Sequence, residues 1–354
     1  MMEMRHHSRI GLDVDPREVR RVAVLRALHL GDFLCSVPAL RALRGRFPMA
    51  EITLIGLPWV RPLIARYACL DRFLEFPGHQ GLEGVDRGPE ETVRFAREAR
   101  KEGYDLAIQM HGDGSVSNGF VALLGARMTI GYCPIGVPAS ARLDLELVWD
   151  PCEHEVLRWL RLVGLLGAEG SPDLEFPLMP GDWTEVCSLA AGLGISLDDP
   201  IVGIHPGARD PARRWPPDRF ATVANVLSEL LGAQVVVTGT SEDAEAAALV
   251  ASAVDKGPVR NLVGRTSLGC LAAMMARMSL FVTNDTGPAH LAAAVGTPSV
   301  VVFGPTSPRR WAPLDSARHR AVWSGPGLPI EAVPTRRVVE ESLAVVEQWV
   351  RQTY

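Results

Sequence analysis

The stretch that most constrains the fold is Val282-Thr283-Asn284-Asp285-Thr286-Gly287-Pro288-Ala289-His290. An apolar run from Ser279 to Thr283 stops at Asn284-Asp285, and a small-residue helix, Ala289 to Val295, follows with Gly287 and Pro288 at its entrance. Strand, tight turn and helix start, in that order, build an anion site. The free N–H groups of the first helical turn point at whatever precedes it, and the helix dipole favours negative charge there. Pro288 fits the first turn, where its missing N–H costs nothing, and Gly287 lets a ligand approach the backbone. His290 falls late in that turn, and helical side chains lean towards the N-terminus, so its ring can reach the same ligand. The alternative is an ordinary strand–helix turn with Asp285 or Thr286 as N-cap.

The rest of the chain bears on the choice. Its 354 residues, 47% hydrophobic and 22% charged, suit about two globular domains of roughly 150 residues each. A net charge of −5 argues against nucleic acid as the main partner. Lysine occurs only at 101 and 256; arginine, the bidentate partner of phosphate and carboxylate, supplies the other basic charges, although genome composition accounts for most of them. The cysteines, at 35, 69, 133, 152, 187 and 270, are spread singly without metal spacing and read as small buried hydrophobes of a reducing cytosol. No apolar run approaches a membrane span or a signal core, which points to a cytoplasmic enzyme with peripheral contact at the inner membrane left open.

Short apolar strands alternate with helices. Arg21 to Leu28 contains the buried-strand run Val-Ala-Val-Leu, followed by Leu30-Gly31-Asp32 and a helix over 33–47 in which Pro38 marks a kink or a later start. Further strands are expected at 52–56 and 105–110, and helices at 58–67 and 89–102. A Pro, Gly and acid-rich stretch, 172–183, reads as a linker. The pattern then restarts with strands at 200–205, 234–238, 261–263, 279–283 and 298–303, the last of these closing the sheet. This is α/β architecture: two Rossmann-like domains with mainly parallel sheets, 1–175 and 176–354, with the terminal helix 340–354 free to pack back on the first domain. Ligands of such sheets bind at the carboxyl ends of the strands, and two facing domains place a site in the cleft between them.

No G-x-G-x-x-G follows the first strand, so a nicotinamide or flavin fingerprint is missing. In its place, Asp32 is a carboxylate at a strand end, suited to general-base work or simply to capping the next helix. The loop Gly203-Ile204-His205-Pro206-Gly207-Ala208-Arg209-Asp210-Pro211-Ala212-Arg213-Arg214-Trp215-Pro216 combines small residues with three arginines, which favours phosphate over a plain solvated loop. Phe303-Gly304-Pro305-Thr306 would form a third loop on the same edge, or a plain turn. His111 and Asp113 end a strand of the first domain. The Asp13-Val14-Asp15 pair of acids lies ahead of the first strand in a tail with His6 and His7 and is rejected as a metal site.

Four of these motifs stand in order and at similar spacing: Leu30-Gly31-Asp32 with Val37-Pro38-Ala39-Leu40, Arg213-Arg214-Trp215-Pro216, Asp285 to His290, and Phe303 to Thr306. Together they resemble glycosyltransferase family 9, whose best-known members are ADP-heptose:lipopolysaccharide heptosyltransferases. The resemblance implies a GT-B fold, with the nucleotide sugar on the C-terminal domain and the acceptor on the N-terminal one. It also implies inverting transfer without a metal or other cofactor. By matching motif, Asp32 would be the general base and Arg213, where the family often has lysine, would neutralise the leaving diphosphate. Gly207, Ala208, Glu242, Thr266, Asp285, Thr286, Gly287 and His290 would hold the donor. Arg61, Arg66, His111 and Arg127 would face the acceptor, although Arg61, Arg66 and Arg127 match the family's basic cluster only loosely.

The expected partners are therefore a nucleotide sugar, ADP-linked in the first instance, and a lipopolysaccharide-core or other glycan or glycolipid acceptor. The competing readings are a GT-B-fold nucleotide-sugar epimerase or hydrolase, a transferase of the same family with another donor or a small-molecule acceptor, and a non-catalytic nucleotide-sugar-binding relative. Donor consumption without acceptor separates the first of these.

Overall fold

The structure, a computed structural model, describes residues 15–82, 88–136 and 140–353, with side chains described up to residue 348. Asp13, His6 and His7 lie outside it. The chain forms two units, Met1–Pro172 and Asp173–Tyr354.

The first unit carries one six-stranded sheet in the order β3-β2-β1-β4-β5-β6. Its strands are β1 (Arg21–Leu25), β2 (Glu51–Gly56), β3 (Arg72–Glu75), β4 (Leu106–Gln109), β5 (Met128–Cys133) and β6 (Leu145–Val148). Every pairing is parallel. The second unit repeats the plan in the order β12-β11-β10-β7-β8-β9. Its strands are β7 (Ile201–His205), β8 (Gln234–Val237), β9 (Val259–Asn261), β10 (Leu280–Asn284), β11 (Ser299–Phe303) and β12 (His319–Trp323), again all parallel. The run at 299–303, read from sequence as the closing strand, is therefore followed by another. His319–Trp323 opens with His319 and Arg320, which leaves only three consecutive apolar residues, and it pairs on one side only, which hides it from a search for longer apolar runs.

Both orders place a topological switch between the first and fourth strands of the sheet, β1 with β4 and β7 with β10, where crossovers leave in opposite directions and open a crevice at the carboxyl edge. The central strands are buried on both faces, as parallel sheets require: Val22 to Leu25 and Leu280 to Val282 are fully inaccessible. Burying each such aliphatic side chain contributes about 1.5–3 kcal/mol.

The helix after β1 runs Leu30–Arg46, with Pro38 inside it. It starts earlier than its apolar pattern suggested, so Asp32 lies in the first turn, not before it. There its charge complements the helix dipole. The expected linker also ends early. A helix over Pro180–Leu193 begins at Pro180, where Asp182 accepts a hydrogen bond from the Met179 N–H at 2.8 Å. The terminal helix, Thr335–Thr353, contributes Val338 and Val345 to the core of the second unit. Among the described residues no helix is long and apolar enough to cross a membrane.

Candidate active site

In the first unit the carboxyl edge at the switch is organised by a residue the sequence reading passed over. Arg26 follows β1 directly and is almost wholly buried. Its Nε and Nη2 donate to the Asp32 carbonyl at 2.9 and 2.6 Å, and its Nη1 donates to the Met110 carbonyl, just beyond β4, at 2.7 Å. Nη2 also lies 3.4 Å from the Asp32 carboxylate Oδ1. The guanidinium stands over the ring of Trp159, 4.7 Å from its centroid. A charge placed directly after a Val-Ala-Val-Leu strand was the available signal for it.

His111 shares this pocket. Its Nδ1 accepts from the Ala27 N–H at 3.4 Å. Burial pushes its pKa down to about 4, the Arg26 cation adds to that, and the Asp32 charge opposes it. The ring is therefore neutral near pH 7 and adds no second positive charge beside Arg26. The loop after β4 is held by Gln109, which donates to the carbonyls of His111 and Gly112 and to Ser117 Oγ. Asp113 is used locally, accepting from the Ser115 N–H and Oγ.

The predicted acceptor arginines do not gather here. Arg61 pairs with Glu75 at 3.2 Å, at the carboxyl end of β3, and lies over Phe73. Arg66 ends the 3-10 helix Pro58–Arg66, on the way back to the start of β3. Arg127 precedes β5 and pairs with Asp105, which precedes β4, at 3.3 Å. Strand direction thus puts Arg127 on the amino edge, opposite Asp32 and His111. It was grouped with Arg61 and Arg66 by loose resemblance to the family's acceptor-side basic cluster, without the direction of the strand it introduces.

In the second unit two loops converge on the stretch 284–290. Asn284, read from sequence only as the residue that stops the strand, is fully buried. Its Oδ1 accepts from the Trp215 N–H at 3.0 Å, and its Nδ2 donates to the carbonyls of Pro206 and Gly207 at 2.8 and 3.2 Å. This one side chain fixes both ends of the arginine loop. Asp285, also buried, accepts from Thr306 Oγ1 at 2.6 Å, and Arg213 Nη1 lies 3.5 Å from its Oδ2. Thr306 therefore does more than complete a plain turn. Gly304 in the same loop has no room for a Cβ, which would meet Ile330 Cβ at 2.6 Å and the Ala212 carbonyl at 3.2 Å.

The helix Gly287–Ala294 begins as expected, with Thr286 at the N-cap position and no side-chain capping bond from it. The capping role suggested for Thr286 is thus not taken up, and the Thr286 hydroxyl instead lies 3.4 Å from the Asn284 carbonyl. His290 is buried, with its ring edge-on to Trp311 at 6.1 Å.

Gly207 and Ala208 are buried beside this turn, and Arg214 Nε donates to the Ala208 carbonyl at 2.7 Å. A Cβ on Gly207 would lie 2.1 Å from the Asp243 carboxylate. Asp243 also caps the 3-10 turn Ser241–Asp243, accepting from the Thr240 N–H and Oγ1 at 2.8 and 3.0 Å. Glu242, the residue named from sequence for the donor, is exposed in the same turn, and its neighbour Asp243 is the acid that stands against Gly207. Thr266 is half-buried after β9, in a loop joined to this edge by the Gly264 N–H, which donates to the Gly239 carbonyl at 3.0 Å. His205 lies beneath, its Nδ1 3.1 Å from Thr238 Oγ1. Burial holds its pKa well below the ordinary value, against the opposing charge of Asp243.

Each unit thus has a switch-point crevice in its own sheet, one presenting a carboxylate in a helix's first turn and the other a helix N-terminus with a nearby guanidinium, in a two-unit α/β protein. Residues 92–329 match glycosyltransferase family 9 (heptosyltransferase). Lipopolysaccharide heptosyltransferase 2 of Salmonella typhimurium is 30% identical over 315 residues, 85% of this chain and 86% of that protein. Among solved structures, the Escherichia coli ADP-heptose lps heptosyltransferase II is 25% identical with a TM-score of 0.73, over 94% of this chain and 99% of that one. A glycosyl transferase family 9 protein from Veillonella parvula has a TM-score of 0.80 at 21% identity, over 96% of this chain and 99% of that one, and shares the fold. The chain belongs to glycosyltransferase family 9, and its fold class is GT-B. It is a glycosyltransferase, as the motifs read in sequence implied.

Proposed function

We propose that this enzyme transfers heptose from ADP-heptose, with inversion and without a metal, to a hydroxyl of a lipopolysaccharide-core or related glycan acceptor. The observation that carries the donor half is Arg213 beside Asp285 at the start of the helix Gly287–Ala294. The donor and acceptor classes are those named for the Escherichia coli and Salmonella relatives. We place the reaction in the cytoplasm, with a lipid-linked acceptor met at the membrane surface.

In this reading Asp32 accepts the proton of the acceptor hydroxyl as that oxygen forms its bond to the anomeric carbon. The bond from that carbon to the diphosphate oxygen breaks, and ADP departs with the electron pair. Arg213 and the free N–H groups at Gly287 neutralise the departing charge, a task that electrostatic preorganisation performs well in a site sparing of water. Asp285, itself an anion, is unsuited to touching diphosphate. Its roles are to align Arg213 and to accept from a sugar hydroxyl. Gly207 and Ala208 offer backbone N–H groups to the phosphates, and Glu242 and Thr266 border the nucleoside. His111 and Arg61 remain on the acceptor side.

Asp32→Asn tests the reading. With ADP-heptose and core oligosaccharide from a strain lacking lipopolysaccharide heptosyltransferase 2, ADP release should fall about 10²–10⁴-fold, the ordinary contribution of a positioned base. ADP binding by calorimetry should stay unchanged and exceed that of UDP, GDP or CDP. Retained turnover removes Asp32 from the mechanism, preference for another nucleotide overturns the donor, and no transfer by the unaltered enzyme overturns the acceptor class.

A further inference from the structure

We propose that Arg26 is a positioning residue for the transfer reaction: it holds Asp32 in its reactive place from beneath, with Trp159 as its platform. The inference rests on the reading of Asp32 as the base. Arg26 has no route to substrate of its own, since its side chain is 1% exposed, whereas that of Asp32 is 25% exposed. What it does is join two elements. Two of its N–H groups converge on the Asp32 carbonyl in the first turn of the helix Leu30–Arg46, and a third reaches Met110 just beyond β4. The helix turn that carries Asp32 is thereby tied across the switch point to the neighbouring strand.

Position matters here because a displacement of about 1 Å costs on the order of 10²-fold in a reaction that depends on near-attack geometry. The fork is specific to arginine. A lysine at the same place keeps the charge but offers one nitrogen, not a planar set of donors, and cannot span both carbonyls in the same geometry. The guanidinium face is packed on the Trp159 indole, which fixes its plane while its edge points at Asp32. Trp159 is fully buried in the helix Glu155–Gly164, so the platform itself is rigid.

The pairing also works in reverse. The Asp32 carboxylate lies 3.4 Å from the buried Arg26 cation. Removing that carboxylate therefore leaves a buried charge without its counter-charge, a costly arrangement. An Asp32 variant accordingly perturbs its own support, and a double-mutant cycle is the way to separate the two roles.

The test compares Arg26→Met, Arg26→Lys, Asp32→Asn and the Arg26→Met/Asp32→Asn double variant, using ADP release from ADP-heptose with the truncated core oligosaccharide. Circular dichroism checks folding and calorimetry checks ADP binding. Arg26→Met should lower kcat about 100-fold with ADP affinity unchanged, and Arg26→Lys should restore part of that loss. Adding Arg26→Met to Asp32→Asn should lower the residual rate by less than about threefold, because the group being positioned is already gone. A merely structural role would instead lower both backgrounds equally. Full kcat in Arg26→Met, or an equal loss in the Asp32→Asn background, overturns the inference. Should Arg26→Met fail to fold, Arg26→Lys decides: reduced kcat upholds the fork, and wild-type kcat rejects it. Near-wild-type turnover by Asp32→Asn strikes the base assignment itself. A dead Asp32→Asn beside a fully active Arg26→Met strikes only Arg26.

Discussion

Replacing Asn284 offers the sharpest check on how the donor loops are held. The side chain satisfies one buried N–H, of Trp215, and contacts two carbonyls, of Pro206 and Gly207. Asn284→Ala removes all three partners and leaves a small cavity in a region where Asn284 is fully inaccessible. An unsatisfied buried polar group costs about 1–3 kcal/mol. The Trp215 N–H bears most of that, since each carbonyl retains a second lone pair and water can enter part of the space, so a loss of about 3 kcal/mol is expected. At about 2–4 °C per kcal/mol for a unit of this size, Tm should fall by about 10 °C. Asn284→Asp is the more telling variant. It keeps the acceptor for Trp215 but aims a carboxylate oxygen at two carbonyl oxygens, so it should be at least as damaging as alanine despite being isosteric. Scanning calorimetry reads the unfolding transition of the second unit, and titration calorimetry reads ADP binding, which should weaken as the loop 206–216 loses its anchor. A Tm within about 2 °C of wild type for both variants, with unchanged ADP affinity, would refute the argument that this amide fixes the loop.

Two further outcomes are expected. Gly207→Ala should weaken ADP binding at least about tenfold, because the added Cβ falls 2.1 Å from the Asp243 carboxylate and the loop must move; combining it with Asp243→Ala should recover part of the affinity in the same calorimetric titration, and no recovery would place the fault elsewhere. His319 is buried with its Nδ1 2.8 Å from Ser299 Oγ, and burial lowers its pKa to about 4; the unfolded chain then takes up the proton first, so the stability associated with the neutral ring is complete above about 6.5 and is lost as pH falls from there towards about 4, by up to roughly 3 kcal/mol. In urea titrations His319→Asn, which mimics Nδ1, should flatten that limb; an unchanged slope would show that another group governs it.

Much of the plan was legible because parallel sheets write themselves as apolar runs. The buried strands at 21–25, 201–205, 280–284 and 299–303 needed no tertiary information. The turn at 284–290 was legible because Gly287 and Pro288 each have a local reason to be there. What escaped was relational. Arg127 looked equivalent to Arg61 until strand direction separated them, and the contact of Asp243 with Gly207 joins residues whose closeness only the fold reveals. Asn284 was visible but read as a strand stop, since its three hydrogen bonds reach residues some seventy positions away. Arg26 escaped because the carbonyls its guanidinium meets, at Asp32 and Met110, are brought to it only by the fold.

The last two residues answer the same problem. A doubly wound sheet leaves a crevice where the crossovers diverge, and the backbone carbonyls at its floor must be paired before the loops above can be rigid. In the first unit Arg26, following the first strand, reaches the carbonyl of Met110 beyond the fourth. In the second unit Asn284, ending the fourth strand, reaches the carbonyls of Pro206 and Gly207 beyond the first. The donors come from opposite sides of the switch, so the likeness is one of physical solution and not of repeated sequence. The difference in chemistry follows from what stands above each. Beneath Asp32 a cation both ties the floor and balances the carboxylate. Beneath a site proposed for diphosphate, a neutral amide ties the floor and leaves the cationic work to Arg213, which is about one-third exposed and placed to meet a ligand.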